Sequence, residues 1–150
     1  MFDVKVKITG MPEVKNLSKE WKEGVFKGLR KAMLYFERKA KQRFGTAGNI
    51  NAVTGNYRRN INSSVSEMGN IIVGTLHGNV AYAAVHEYGF KGTVSVPAHN
   101  RRTKKSGSVN VRAHTRRVNI PQRPLLTPAI SENITRGSNI IKREILKETS

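Results

Sequence analysis

His86 beside Glu87 is the one tempting acid/base pair in this chain of 150 residues. A histidine next to a carboxylate can move a proton near neutral pH. The pair lacks the second histidine of a zinc-protease helix, and Glu87 is expected instead to bond the backbone or a neighbouring arginine. Four His and ten Asp or Glu are present, none of them spaced as a metal site. Two histidines without a carboxylate, such as His99 and His114, make a weak zinc site even if strands bring them together. No glycine loop has the phosphate-cradling or dinucleotide pattern, and the nucleophile elbow is missing. The chain has no Cys, which excludes disulfides and thiolate metal sites and permits a reducing compartment. No catalytic residue, metal or cofactor is expected.

Charge is the stronger chemistry. The net charge is +17, a field that draws nucleic acid, anionic membrane or an acidic protein surface. From Tyr88 through Ser131 there is no Asp or Glu, while Lys91, Arg101, Arg102, Lys104, Lys105, Arg112, Arg116, Arg117 and Arg123 are all basic. This acid-free arm, about Lys91 to Asn119, suits phosphate contact, with Arg101, Arg102, Lys104 and Lys105 as candidates. Phe90 is the last aromatic, so stacking on single-stranded bases is not expected. No zinc finger, heptad repeat or clear helix-turn-helix is visible, which leaves non-specific contact with a duplex. No apolar run approaches the roughly 20 residues that span a bilayer, and no membrane partner is expected. Met1 to Val6 alternates without a signal-peptide core. The mature chain is therefore expected to start at Met1 and to be made in a cytoplasm.

The elements that must hold the arm read as one domain over residues 1–150. Phe2 to Ile8 alternates as a strand does, ended by Gly10 and Pro12. Leu17, Trp21, Val25, Leu29, Ala32, Phe36, Ala40 and Phe44 mark one face of a long helix. Asn16 or Ser18 caps its start, and Gly45 stands past its end. Gly24 and Gly28 each cost about 1 kcal/mol inside a helix, unless a second backbone crosses there; Gly137 and Ser138 mark either a kink in the last helix or the partner in that crossing. Gly45 to Val53 reads as a loop. Thr54 caps one helical turn through Arg59. Ile61–Glu67 and Asn70–Leu76 form two strands joined by Met68-Gly69-Asn70, and His77-Gly78-Asn79 makes the next turn. Tyr82 to Tyr88 is a brief helix or a tight packed segment. Thr127, with Pro128 behind it, starts a last helix whose apolar face is Ile130, Ile134, Ile141 and Ile145, widened by Ile140 and Leu146.

Within the arm, Val94, Val96, Val109 and Val111 alternate like strands around a Lys104–Ser108 tip. Ala98-His99-Asn100-Arg101-Arg102 and Ala113-His114-Thr115-Arg116-Arg117 are near-copies. A two-residue Ser106-Gly107 turn places Lys105 opposite Ser108, His99 opposite His114, and Arg101 opposite Arg112. Val94, Val96, Ala98, Val109, Val111 and Ala113 then share a face. Facing like charges weaken a ladder, and a lone two-stranded ribbon is marginal in water. Such a hairpin needs a partner to order it; the plainer reading is a basic loop with no specific partner.

Thr54-Gly55-Asn56-Tyr57-Arg58-Arg59-Asn60-Ile61, then Tyr82-Ala83-Ala84-Val85-His86-Glu87-Tyr88-Gly89, then Ile120-Pro121-Gln122-Arg123-Pro124-Leu125-Leu126-Thr127-Pro128-Ala129 follow one another after the basic helix. Their order resembles the tail-completion (head–tail joining, neck) proteins of long-tailed bacteriophages and prophages, over about Leu17 to Ile145. Tyr57, Tyr88 and Leu125 depart from that pattern, and the arm is longer than in short members. The resemblance implies an α+β fold: a small antiparallel sheet packed against a long N-terminal helix and a C-terminal helix, with a protruding basic β-hairpin arm. It implies a homo-oligomeric ring, commonly of six subunits, at the head–tail junction of a virion made in a bacterial cytoplasm. The ring's partners would be a tail-tube or tail-terminator protein and the head connector or head-closure protein, with genomic DNA in the lumen. It implies structural roles for Tyr57, Tyr82, Glu87, Tyr88, Gly89, Pro121, Arg123, Pro124, Leu125 and Pro128. Tyr82, Tyr88 and Pro121–Pro128 would pack the sheet edge onto the last helix, and Arg58 and Arg59 could reach a neighbour. Val94, Val96, Arg101, Arg102, Lys104, Lys105, Val109, Val111, Arg112, Arg116 and Arg117 would form the arm's subunit or partner interface. The alternative is a small basic protein that binds nucleic acid without sequence preference.

Overall fold

In the computed structural model, which describes residues 2–7, 18–45, 50, 54–68, 71–103 and 107–150, the helix-period stretch forms α1 (Lys19–Gln42). Ser18 caps it, its hydroxyl accepting from the Trp21 N–H at 3.4 Å. The end of the helix is followed by Gly45 with φ +78°. Val25, Leu29, Ala32, Phe36 and Ala40 are buried along one stripe, with Met33 beside them. Trp21 departs from the expected stripe: it is 42% exposed. It lies one turn beyond the point where the sheet and the last helix cover α1.

β1 (Phe2–Lys7), β2 (Ile61–Met68) and β3 (Ile71–Gly78) form an antiparallel sheet in the order β1-β3-β2. β3 is central, and its Ile72 to Leu76 are all buried, as a run covered on both faces should be. Gly74 lets α1 approach, since a Cβ there would stand 2.7 Å from the Met33 side chain. His77 and Gly78 belong to β3, paired with Asp3 and Phe2 on one side and Asn62 and Ile61 on the other, so the expected turn begins only at Asn79. α2 (Asn56–Arg59) is a single turn whose cap position is Gly55. Thr54 contributes by accepting from the Asn56 N–H at 3.3 Å. α3 is Ala83–Tyr88. Leu17, Lys104 to Ser106, Gly69-Asn70 and most of the Gly45–Val53 loop lie outside the described residues.

The expected single last helix is two: α4 (Leu126–Ser131) and α5 (Ile134–Glu148), separated by Glu132-Asn133. Leu125, not Thr127, holds the cap position of α4. Pro128 falls third in the helix, still within the first turn, where a missing N–H costs nothing. Ile134, the first residue of α5, and Leu146 are exposed, while Ile130 and Ile145 stay in the core.

α1 and α5 pack through glycine. A Cβ on Gly24 would meet the Ile145 Cα at 2.9 Å, and one on Gly28 the Ile141 Cα at 2.8 Å. The crossing expected at Gly137 is shifted: Gly137 receives the Phe36 ring of α1. Three glycines thus form one seam, each facing a larger group on the other helix. Their absent side chains explain why helix-weakening residues sit inside helices.

Candidate functional site

The arm is a β-ribbon in two segments. β4 (Phe90–Val96) pairs antiparallel with β7 (His114–Ile120), and β5 (His99–Thr103) with β6 (Gly107–Val111). Together they give about 40 Å of strand path. Beyond its own strands the ribbon makes only sparse contact with other elements.

The register differs from the expected one by three residues. Thr103 faces Gly107, so His99 stands opposite Val111 and Arg101 opposite Val109. Arg116 faces Val94 and Arg117 faces Thr93. An odd shift exchanges faces, and it removes the expected like-charge clash: no paired position sets two cations against each other. The valines no longer share a face along the whole arm. Phe90, Val94, Val96, Val118 and Ile120 line one face of the inner ladder together with His114 and Arg116, with Lys91, Thr93, Ser95, Thr115, Arg117 and Asn119 on the other. In the outer ladder Val109 and Val111 share a face with His99 and Arg101, and the opposite face holds only Asn100, Arg102, Ser108 and Asn110.

The reason lies at the root and at Pro97. Phe90 pairs with Ile120, and just below them the Arg123 N–H donates to the His86 carbonyl at 2.8 Å. These contacts fix the register from the base rather than from the tip. They bring Pro97, which has no N–H for a ladder, into the interruption between the two segments. The repeated Ala-His motif serves this same place. His99 Nδ1 lies 3.0 Å from the Pro97 carbonyl oxygen and His114 Nδ1 2.9 Å from that of Arg112. Each imidazole donates two residues back, at the first residue of β5 and of β7. The two rings do not face each other as a metal pair, and no group of three His, Asp or Glu among the described residues could hold a metal ion.

Glu87 anchors the arm's feet. It is 1% exposed, and its Oε1 accepts from the Leu125 and Leu126 N–H groups at 2.7 Å each. Its Oε2 accepts from the Thr127 N–H at 3.4 Å and the Thr127 hydroxyl at 3.2 Å. A buried carboxylate from α3 therefore caps α4, doing the work of the missing local cap and meeting the positive end of the helix. The Glu87 carbonyl also accepts from the Gln122 side chain at 2.7 Å. Gly89, with φ +74°, is forced by closeness: a Cβ would lie 2.9 Å from the Ile120 carbonyl oxygen. The two ends of the arm are thus tied to each other and to α4.

His86 and Glu87 form no dyad. Both Glu87 oxygens serve α4, and His86 stacks on Tyr57 with ring centroids 6.0 Å apart. Its Nδ1 is buried without a partner among the described residues. Burial, and then the Arg123 charge, hold the His86 pKa below its ordinary value, opposed by Glu87. Tyr57 is buried, packed edge-on by Phe44 and Tyr82, and its pKa is raised by burial and by Glu87. Tyr82 and Tyr88 do not pack the sheet edge onto the last helix as expected; both are exposed, Tyr88 by 70%. Leu125 is fully buried and Pro124 and Pro128 partly so, but Pro121 and Arg123 are exposed. Arg58 and Arg59 are also exposed.

Arg101, Arg102, Arg112, Arg116, Arg117 and Lys91 are exposed, and none has a carboxylate within ion-pair range among the described residues. Lys104 and Lys105 lie outside those residues. Sequence reading missed the apolar inner face of Phe90, Val118 and Ile120; the alternation Val118-Asn119-Ile120 was its signal. No helix of the described residues is long and apolar enough to cross a membrane. No known family model matches the chain, nor does any curated protein or solved structure.

Proposed function

We propose that this chain is a structural subunit of a homo-oligomeric ring, of six copies, at the head–tail junction of a tailed bacteriophage. It completes the tail and docks it to the head connector or head-closure protein, on the side opposite a tail-tube or tail-terminator protein. It acts in the virion, without catalysis or cofactor, and DNA passes through the lumen. The observation that carries this reading is the mounting of the arm. The two stretches that resemble neck-protein motifs meet in space, Glu87 of the first capping the helix begun by the second. A ribbon held so firmly at its feet and so little elsewhere is suited to reach a neighbouring subunit. Its inner apolar face, Phe90, Val94, Val96, Val118 and Ile120, supplies area to bury there, and its free backbone edges can add to a neighbour's sheet.

The test is light scattering coupled to size exclusion, on the protein alone and with purified tails lacking it. Ring formation, or stoichiometric addition to tails that then join heads, is expected. A strict monomer that joins no tail overturns the reading. Val94→Asp with Val118→Asp should abolish assembly while leaving the monomer folded.

A further inference from the structure

Among the described residues, the body's carboxylates are already engaged. Glu37 pairs with Lys41, Glu67 with Lys22, Glu132 with Arg43, Glu148 with Lys27, and Glu144 with Lys31 and Lys147. Asp3 pairs with His77 and Glu23 with Lys27. Glu87 is spent on α4, and Glu20 sits in the first turn of α1, where its own backbone and Ser18 lower its pKa. A second copy therefore brings the arm none of the described carboxylates uncommitted, and brings a further net charge of +17. The described carboxylates of a second copy are thus no ready source of neutralising charge for the arm, which favours a different, anionic molecule.

The arm's own chemistry narrows the class. Around its cations stand short hydroxyl and amide side chains: Thr93, Ser95, Asn100, Ser108, Asn110 and Thr115. Protein interfaces are anchored by large apolar or aromatic groups in desolvated pockets. The outer face of Asn100, Arg102, Ser108 and Asn110 has none. Phosphate contact asks only for cations with hydroxyl, amide and backbone donors, and a two-stranded ribbon fits the major groove of B-DNA. We propose that the ribbon is a sequence-independent contact surface for duplex DNA, with Lys91, Arg101, Arg102, Arg112, Arg116 and Arg117 meeting phosphates. Arg116 and Arg101 stand among the valines and Lys91, Arg117 and Arg102 on the opposite faces, so both sides of the ribbon present cations. This goes beyond ring assembly and does not depend on it.

The experiment titrates the full chain into a short labelled duplex over a series of KCl concentrations, followed by anisotropy. Arg101→Gln, Arg102→Gln, Arg116→Gln and Arg117→Gln are combined in one variant. A second variant carries Arg30→Gln, Arg136→Gln, Lys142→Gln and Arg143→Gln on the body. The slope of log affinity against log salt should shrink by about 0.9 for each phosphate that a substitution leaves without its cation. The arm variant should show a reduction close to that of four phosphates and the body variant little. Arg102→Gln and Arg117→Gln alone, each reducing the slope by about 0.9, keep the test sound should the combined variant fold poorly. Equal reductions in arm and body variants, or no reduction in either, overturn the proposal. So does tighter binding of poly-glutamate than of duplex at matched charge and salt, which assigns the surface to an acidic protein. Light scattering on the same samples records assembly separately.

Discussion

In the body, every described carboxylate from Asp3 to Glu148 has a cation or a cap. α1 is gripped on one side by β3 and on the other by α5. In the ribbon the same chain sets five exposed cations on paired strands and Arg112 between them, with no carboxylate in ion-pair range among the described residues. The body spends its polar groups on itself; the ribbon leaves them to solvent. Packed interiors are sensitive to one methyl group, whereas exposed side chains without partners are nearly neutral to fold stability. The two regions should therefore answer mutation oppositely: changes in the body alter folding, and changes in the ribbon alter association.

The sharpest break falls where the regions join. Glu87→Ala strips the acceptor from the Leu125 and Leu126 amides inside the core, and should cost about 3 kcal/mol in chemical denaturation. Glu87→Gln keeps an oxygen for the Leu125 and Leu126 N–H groups and turns its amide toward Thr127, so it should recover part of the loss, short by the charge and the Thr127 N–H contact. Recovery to wild type would show that shape alone anchors the arm. Next comes Gly28→Ala. Helix propensity favours it by about 1 kcal/mol, yet the new methyl meets the Ile141 Cα at 2.8 Å and its carbonyl oxygen at 3.0 Å. Both are backbone, which cannot swing aside, so a net loss of about 2 kcal/mol is expected. A stabilised Gly28→Ala would mean that the helix seam is looser than its geometry.

The body was the more legible region. Period-3.6 spacing marked α1 because one stripe is buried over nearly its whole length. The strands, the helices and the hairpin follow from such patterns; their packing as an α+β fold was what the resemblance implied. Ile134 escaped because it stands at the first position of α5, just past the break at Glu132-Asn133, and Leu146 because it lies off the buried stripe that ends in Ile145. Gly24 and Gly28 announced a close crossing, but the partners, Ile145 and Ile141, are ordinary residues with no mark of their own. The ribbon's existence was legible in its alternation. Its register was not, since a turn dipeptide at the tip pointed one way and the anchored feet decided the other. Glu87 as the cap of α4 joins residues 38 and 39 apart, a distance at which spacing carries no helical or strand signal.

A smaller effect comes from His86. Its folded-state pKa lies below the ordinary 6.5, so the folded protein resists a proton that the unfolded chain accepts. The sign follows: stability is level above that value and falls as pH drops through it, until the folded state also protonates. The decline should show as a lower melting temperature toward pH 5 and be flattened in His86→Gln. An identical decline in the variant would assign it to other groups. Partial solvent contact keeps this effect below that of Gly28→Ala.

The smallest expected change is the most telling. Lys31→Gln removes the cation whose hydrogen bond, helped by the Lys147 charge and opposed by burial, holds the Glu144 pKa down. Glu144 is a carboxylate with a lowered folded pKa, so its contribution to stability exists above the ordinary carboxylate range and disappears as pH falls through the folded value. Lys31→Gln should erase part of that dependence between neutral and acid pH. Arg117→Gln removes a charge of the same sign from the ribbon, where its cross-strand neighbour is Thr93 and no carboxylate is near. Its effect on stability should stay within about 0.5 kcal/mol, on the favourable side if relief of self-repulsion dominates, with no new pH dependence. Matched denaturation curves of the two variants across pH decide the matter. Equal losses would mean that the ribbon's charges belong to the fold after all. A loss confined to Lys31→Gln leaves the ribbon's cations with no work inside this molecule, and so for something outside it.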